Sequence, residues 1–412
     1  MIRLKLSVIF IGLAFLVTGC KKEYTPENKI KEDVAFLADD KLEGRQTGTK
    51  GEKEAAKYLA KRFKSLGLQP KGTDGYFQDF TFKPKTNPHQ KVKYTDVNAD
   101  STITGRNVLG FINNNAAETV IIGAHYDHLG YGGEGSLHRG EDKAIHNGAD
   151  DNASGVAVML NLASKLKNTN NKNNYLFMAF SGEEMGLLGS NYFVKNATIN
   201  LDSVNYMLNM DMVGRLKKDS TLAVYGVGTT PIFKQVITAS NNKFKLIEKE
   251  SGVGPSDHTS FYLSDIPVLH FFTGQHEDYH KPGDDAEKLN YEGMESVSNY
   301  IFDIITDLDD NGKLAFRKTK NESDETPRFK VTLGVVPDYM FDGKGMRIDG
   351  VSEDKPAQKA GLQKGDVVLQ LGDSTIVDMM GYMRALSAFK VGDATTVKVK
   401  RNGEEIEKEV TF

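Results

Sequence analysis

Five short clusters in this chain carry residues of the types that hold divalent cations: His125-Tyr126-Asp127-His128, Asp150-Asp151-Asn152, Glu183-Glu184, Asn209-Met210-Asp211 and Tyr279-His280. They offer imidazole nitrogens and carboxylate oxygens and no thiol. That donor set suits two hard-to-borderline cations, such as zinc, held close together and sharing a carboxylate. Paired ions clamp and acidify a water, so the chemistry they imply is hydrolysis, here of an amide bond.

The clusters need elements to bring them together. Thr119–Gly123, Tyr175–Phe180, Tyr206–Met210 and Ile266–Phe272 are short apolar runs that read as buried strands. Helical spacing follows in Ser154–Leu166, in Glu184–Val194 and around Met294, Val297, Ile301 and Ile304. Pro231 marks another helix start. Thr49 and Glu52 form a capping box ahead of Ala56, Leu59 and Phe63, with Gly67 closing that helix. Lys71–Asn107 reads as irregular. The alternation predicts an α/β fold: a mostly parallel central sheet with helices on both faces. Ligands of such sheets gather beyond the carboxyl ends of the strands. His125, Glu183 and Glu184, Asp211 and His280 each follow a predicted strand.

Taken singly, each residue has a plainer reading. Asp150 and Asp151 suit a helix N-terminus, Glu183 and Glu184 a solvated first turn, Asp211 a turn cap. Taken together, from Asp33 to Leu308, they resemble the co-catalytic di-zinc aminopeptidases. The most specific pieces are Asn147-Gly-Ala-Asp-Asp-Asn-Ala-Ser-Gly155, Ser181-Gly-Glu-Glu-Met-Gly186 and Asn209-Met-Asp-Met-Val-Gly214. The resemblance implies two Zn2+, with Co2+ or Mn2+ as possible substitutes. His125 and Asp211 then ligate one ion, Glu184 and His280 the other, and Asp151 bridges them. It implies Glu183 as the general base acting on a bridging hydroxide, Asp127 as the carboxylate orienting His125, and Tyr279 as a hydrogen-bond donor to the developing oxyanion. The implied activity is release of N-terminal residues from peptides with a free N-terminus. The division of labour is chemically consistent: Glu184 faces the metal, Glu183 the water. Asp257 and His258 are expected to be supporting or structural, and Asp284 to support His280. His128, His138, His146, His270 and His276 are not expected to be ligands. The chain departs from some relatives at Pro255, where they carry a basic residue. The Gly-rich insert after Tyr131 is a candidate lid, subsite wall or surface loop. Two rival readings are a glutaminyl-cyclase-like enzyme with one zinc and a non-catalytic peptide-binding lipoprotein.

The 412 residues suffice for a large domain and a small one, and the net charge of −4 shows no basic stripe, which argues against nucleic acid as a partner. Arg3 and Lys5 precede an apolar run too short to span a bilayer comfortably, so residues 1–19 read as a signal segment. Val17-Thr-Gly-Cys20 resembles a bacterial lipobox. It implies cleavage before Cys20, lipidation of its thiol, and an exported protein held on a membrane facing periplasm or exterior. Cys20 is the only cysteine, which excludes an internal disulfide and cysteine catalysis. Residues 20–30 read as a tether, 31–310 as the peptidase domain and 311–328 as a polar linker. Residues 329–412 resemble a bacterial PDZ domain through Thr332-Leu-Gly-Val-Val336, Pro356-Ala357 and Ala360-Gly-Leu-Gln-Lys-Gly-Asp366. Short strands are expected there at Lys330–Leu333, Val367–Leu371 and Thr396–Lys400. The resemblance implies a small, mainly-β module with a groove for a C-terminal peptide.

Overall fold

A computed structural model describes residues 26–412, apart from 85–91, 97–100, 134, 139, 141–142, 170–171, 321–329, 339–340, 342 and 353. The expected signal segment and Cys20 lie outside the described residues. Among the described residues no helix is long and apolar enough to cross a membrane.

The first unit has strands β1 (Gln69–Pro70), β2 (Phe77–Lys83), β3 (Lys93–Tyr94), β4 (Ile103–Ile112), β5 (Thr119–His125), β6 (Asn174–Phe180), β7 (Val204–Met210), β8 (Thr221–Tyr225), β9 (Lys245–Lys249) and β10 (Val268–Phe272). Its helices are α1 (Pro26–Leu37), α2 (Lys50–Ser65), α3 (Gly155–Leu166), α4 (Leu188–Lys195), α5 (Phe233–Ala239), α6 (His258–Tyr262) and α7 (Tyr291–Leu308). The sheet runs β3-β2-β4-β6-β5-β7-β10-β8-β9, with β1 on β4. Its centre, β6-β5-β7-β10, is parallel. The flanking β2–β4, β4–β6 and β8–β10 pairings are antiparallel, so the sheet is mixed overall.

The central strands read as unbroken apolar runs because both of their faces are covered. On β6, Tyr175, Phe177 and Ala179 join the larger core, while Leu176, Met178 and Phe180 point into the other. α1, α2, α3, α5 and α7 feed the larger core. Phe193 of α4 and Phe261 of α6 feed the smaller one. The region 71–107, expected to be irregular, contains β2, β3 and the start of β4. The helix expected from Glu184 begins only at Leu188, because residues 181–187 form the turn that carries both glutamates.

The second unit is built from β11 (Val335–Pro337), β12 (Met346–Val351), β13 (Val367–Leu371), β14 (Ser374–Thr375), β15 (Ala394–Arg401) and β16 (Glu404–Thr411), with α8 (Pro356–Lys359) and α9 (Met379–Leu386). Every pairing is antiparallel. It has its own core, including Leu333, Ile348, Val368, Leu386 and Val397. Two expected strands correspond to β13 and β15. The third, Lys330–Leu333, is not a strand; the ladder starts two residues later at Val335, after Gly334.

Candidate metal centre

Parallel pairing decides where the site lies. His125 is the last residue of β5 and stands opposite Phe180, the last of β6. Gly123 of β5 pairs with Asn209 of β7, and Met210 of β7 pairs with Phe271 of β10. The four strands therefore end together, and the turns that follow them supply the donors: Glu183 and Glu184 after β6, Asp211 after β7, and His280 eight residues beyond β10. Asp151 comes from the turn ahead of α3.

All five expected ligands meet. His125 Nε2 lies 3.3 Å from Asp151 Oδ1 and 3.3 Å from Asp211 Oδ1. His280 Nε2 lies 3.2 Å from Asp151 Oδ2 and 3.4 Å from Glu184 Oε2. Donors of one tetrahedral zinc, at bond lengths of about 2.0–2.1 Å, stand about 3.3 Å apart. Asp151 thus turns one oxygen toward each histidine, as a shared carboxylate must. Two groups of donors close enough to hold an ion result: His125, Glu183 and Asp211, and His128, Asp151 and Glu184.

The electrostatics fit cations. Burial opposes ionisation of Asp151, yet hydrogen bonds from His125 and His280 hold its carboxyl well below the usual carboxylate range. Burial also pulls His280 down, but Glu184 and Asp151 more than offset this and raise it to about 9. The carboxylates thus draw protons onto imidazoles, and bound cations would displace those protons. Burial pushes the Glu183 carboxyl well above its ordinary value, with Asp211 and Glu184 adding to the rise against His125. Glu184 Oε1 is buried without a hydrogen-bond partner. Nitrogen and carboxylate donors, one such orphaned oxygen and tetrahedral spacing together fit zinc.

Comparison with known proteins agrees with this geometry. Residues 107–305 match peptidase family M28, and residues 314–412 match the PDZ domain family. The chain carries an M28 peptidase domain followed by a PDZ domain. Aminopeptidase YwaD of Bacillus subtilis (strain 168) is 28% identical over 228 residues, covering 52% of this chain and 46% of the relative. The chain spans about half the length of the curated relatives it matches. The aminopeptidase from Aneurinibacillus sp. strain AM-1 superposes with a TM-score of 0.54 at 18% identity, over 71% of this chain and 95% of that one. Porphyromonas gingivalis glutaminyl cyclase gives a TM-score of 0.54 at 18% identity, over 68% and 98%. These likenesses share the fold of the M28 domain.

The structure also places the residues expected to support the site. Asp127 sits behind His125, its main-chain oxygen 3.3 Å and its carboxylate 3.7 Å from Nδ1. That carboxylate accepts from Thr47 Oγ1 at 2.9 Å and from the Glu183 main-chain N–H at 3.2 Å, tying the orienting residue to the glutamate turn. Tyr279 stacks on His280 with centroids 3.8 Å apart and lines the cavity beside Glu183. Asp284 does not support His280. It accepts the main-chain N–H groups of Asp150 and Asp151 at 2.9 and 3.0 Å, so it holds the shared carboxylate's turn instead. His280 Nδ1 donates to the Gly135 carbonyl at 2.8 Å, and Leu137 N–H donates to the His280 carbonyl. The Gly-rich insert therefore fixes the His280 tautomer, leaving Nε2 for the metal side. No local pattern in the sequence signals that contact. Asp257 is buried close to the site, its carboxyl raised to about 7 by burial. His258 stacks on His270 at 4.5 Å. His276 reaches Asp150 at 3.1 Å, and His146 meets Ser136 at 2.8 Å. His128, not expected among the ligands, stands beside Glu184 and Asp151.

Proposed function

We propose that the chain is a two-zinc aminopeptidase that removes N-terminal residues from peptides. One observation carries this reading: Asp151 places its two oxygens 3.3 and 3.2 Å from His125 and His280, with Glu183 in the same cavity. Zinc bound there supplies Lewis acidity, polarising the scissile carbonyl and acidifying water. The protein's own groups do the rest. Glu183 takes a proton from the water whose oxygen attacks the carbonyl carbon. It then delivers that proton to the amine nitrogen as the C–N bond breaks. Its buried position, which raises its proton affinity, suits a group that must both accept and return a proton. Asp127 steadies His125 and the Glu183 main chain at once. The Tyr279 hydroxyl, kept protonated by burial, is available to donate to the carbonyl oxygen as charge develops. The cavity of about 130 Å³ is lined also by Met212, Tyr225 and Phe272, which favours a substrate with an apolar N-terminal side chain.

Chromogenic aminoacyl amides test this. Wild type should cleave them and Glu183→Ala should lose about 10²- to 10⁴-fold in kcat while keeping its zinc. Equal turnover of free and N-acetylated peptides would reject the exopeptidase reading. Cyclised products in place of free amino acids would favour the cyclase alternative. Two further parts of the reading lie outside the metal centre. The protein is exported and held on a bacterial membrane through lipidated Cys20, which fatty-acid labelling of wild type against Cys20→Ala checks. In the PDZ domain β11 ends the sheet among the described residues, and a C-terminal peptide would add to it as a further strand.

A further inference from the structure

One buried imidazole beside the site has no part in the scheme above. The His128 side chain is fully buried, with Nδ1 2.8 Å from Glu184 Oε1 and 4.0 Å from Asp151 Oδ2. Short as the first distance is, the two groups are not aligned as donor and acceptor. Neither nitrogen of His128 has a hydrogen-bond partner, and neither does Glu184 Oε1. Leaving buried polar atoms unpaired costs about 1–3 kcal/mol each. Two such atoms that face one another without bonding share a missing partner. Their spacings, 2.8 and 4.0 Å, bracket the roughly 3.3 Å edge of a tetrahedral zinc site.

We propose that His128 is a direct ligand of the second metal ion, alongside Asp151, Glu184 and His280. The inference rests on the two-zinc reading and adds a residue to it. The ring is held in place for the task. A Cβ on Gly148 would come within 2.5 Å of its Cγ and Cδ2, so the glycine main chain packs against the imidazole. His128 N–H donates to the Arg45 carbonyl, and the Arg45 guanidinium in turn bonds the Gly148 carbonyl at 3.0 Å. The two sites then differ. The first has one histidine and two carboxylates, the second two histidines and two carboxylates. Four protein donors make the second the tighter, closed site; three leave the first an open position, as a catalytic zinc has.

Competition with a graded chelator on the full chain measures both affinities. Wild type should hold one zinc tightly and one more weakly. His128→Ala should weaken the tight site by more than about 100-fold, beyond what loss of an indirect support costs, and leave the other unchanged. Melting in excess chelator should match wild type and show an intact fold. Both affinities within threefold of wild type, with only kcat reduced, would overturn the proposal and make His128 a positioning residue for Glu184. X-ray absorption on doubly loaded wild type needs no variant: three imidazole nitrogens per two zinc support the inference, and two reject it while leaving the two-zinc reading intact. A wild-type chain that binds a single zinc overturns both.

Discussion

At the scale of single residues, the groups behind the ligands are the ones most exposed to physical test. Glu52 was legible only as half of a capping box at the start of α2. Its Oε2 does accept from Gly48 N–H at 3.0 Å. Its Oε1, however, reaches away from the helix to Ser181 Oγ, Arg106 N–H and the Tyr126 hydroxyl. Burial raises its carboxyl to about 7, the hydrogen bonds only partly opposing this. An acid raised on folding binds its proton more tightly in the native state, so its contribution is fullest below the unfolded value near 4.5 and is lost as pH rises through 7. At about 1.4 kcal/mol per pH unit, wild type should lose about 2–4 kcal/mol relative to Glu52→Gln between pH 4.5 and 7.5. Chemical denaturation of both proteins across that range measures it; parallel profiles would refute the assignment. Arg45 is the opposite case. It is buried, its guanidinium lowered to about 10 by burial. It donates to the carbonyls of Leu37, Tyr126, Asn147 and Gly148. It thus staples the end of β5 to the turn that carries Asp151. Arg45→Met should cost about 3–5 kcal/mol by leaving those carbonyls unpaired, and should weaken zinc binding with it. Calorimetry with and without chelator separates the two effects.

At the scale of elements, the site depends on strands ending in register and on turns shaped tightly enough to place donors. Gly148 shows how tight. It adopts φ +55°, and an added Cβ would meet Asp151 O at 2.2 Å as well as the His128 ring. Gly67, just past α2, also has a positive φ (+79°) but open space around it. Gly67→Ala should therefore cost only about 1 kcal/mol, from the backbone conformation alone. Gly148→Ala should cost several times more and displace the shared carboxylate, so that zinc stoichiometry falls below wild type even in protein that folds. Equal, small effects at both glycines would show that the turn tolerates rearrangement. The contrast also marks what the chain discloses to inspection. Buried central strands such as Tyr175–Phe180 are apolar throughout and bounded by turn residues, so they and the donors at their ends can be read directly. β4 (Ile103–Ile112) carries Thr104, Arg106 and Asn107 on a strand covered unevenly, and β2 alternates beside it. Neither stands out from a stretch rich in Pro, Gly and Asn. The support of His280 by Gly135 and the role of Asp284 are contacts across more than a hundred residues, and no spacing rule reaches them.

At the scale of the whole molecule, the chain divides into two units, one with cores on both faces of the mixed sheet and one with a core around β12, β13 and β15. The polar composition after α7 reads as a connection, yet part of it lies against the first unit. Leu314 is buried in the larger core, and its N–H donates to Asn205 Oδ1 at 2.8 Å. Phe316 packs near Tyr262 with ring centroids 5.5 Å apart. Arg317 bonds Thr229 and Gly228 through its main chain and side chain, and Thr319 bonds Tyr262 and Gly252. These residues fill a seam on the M28 domain; Leu314 is buried there, worth about 1.5–3 kcal/mol, and Phe316 is half-buried and worth less. A protein ending at residue 320 should therefore fold and melt like the full chain's first unit, and hydrolyse small aminoacyl amides at the full-length rate. One ending at 310 should lose about 2–4 kcal/mol, lowering its melting temperature on the order of 10 °C. Because the seam meets β7 at its start, at Asn205, while Asp211 follows the other end of that strand, zinc stoichiometry should be the same in both. If the longer truncation also lost activity on small amides, the PDZ domain would have to contribute to the catalytic cavity itself, which none of the distances among the metal donors requires.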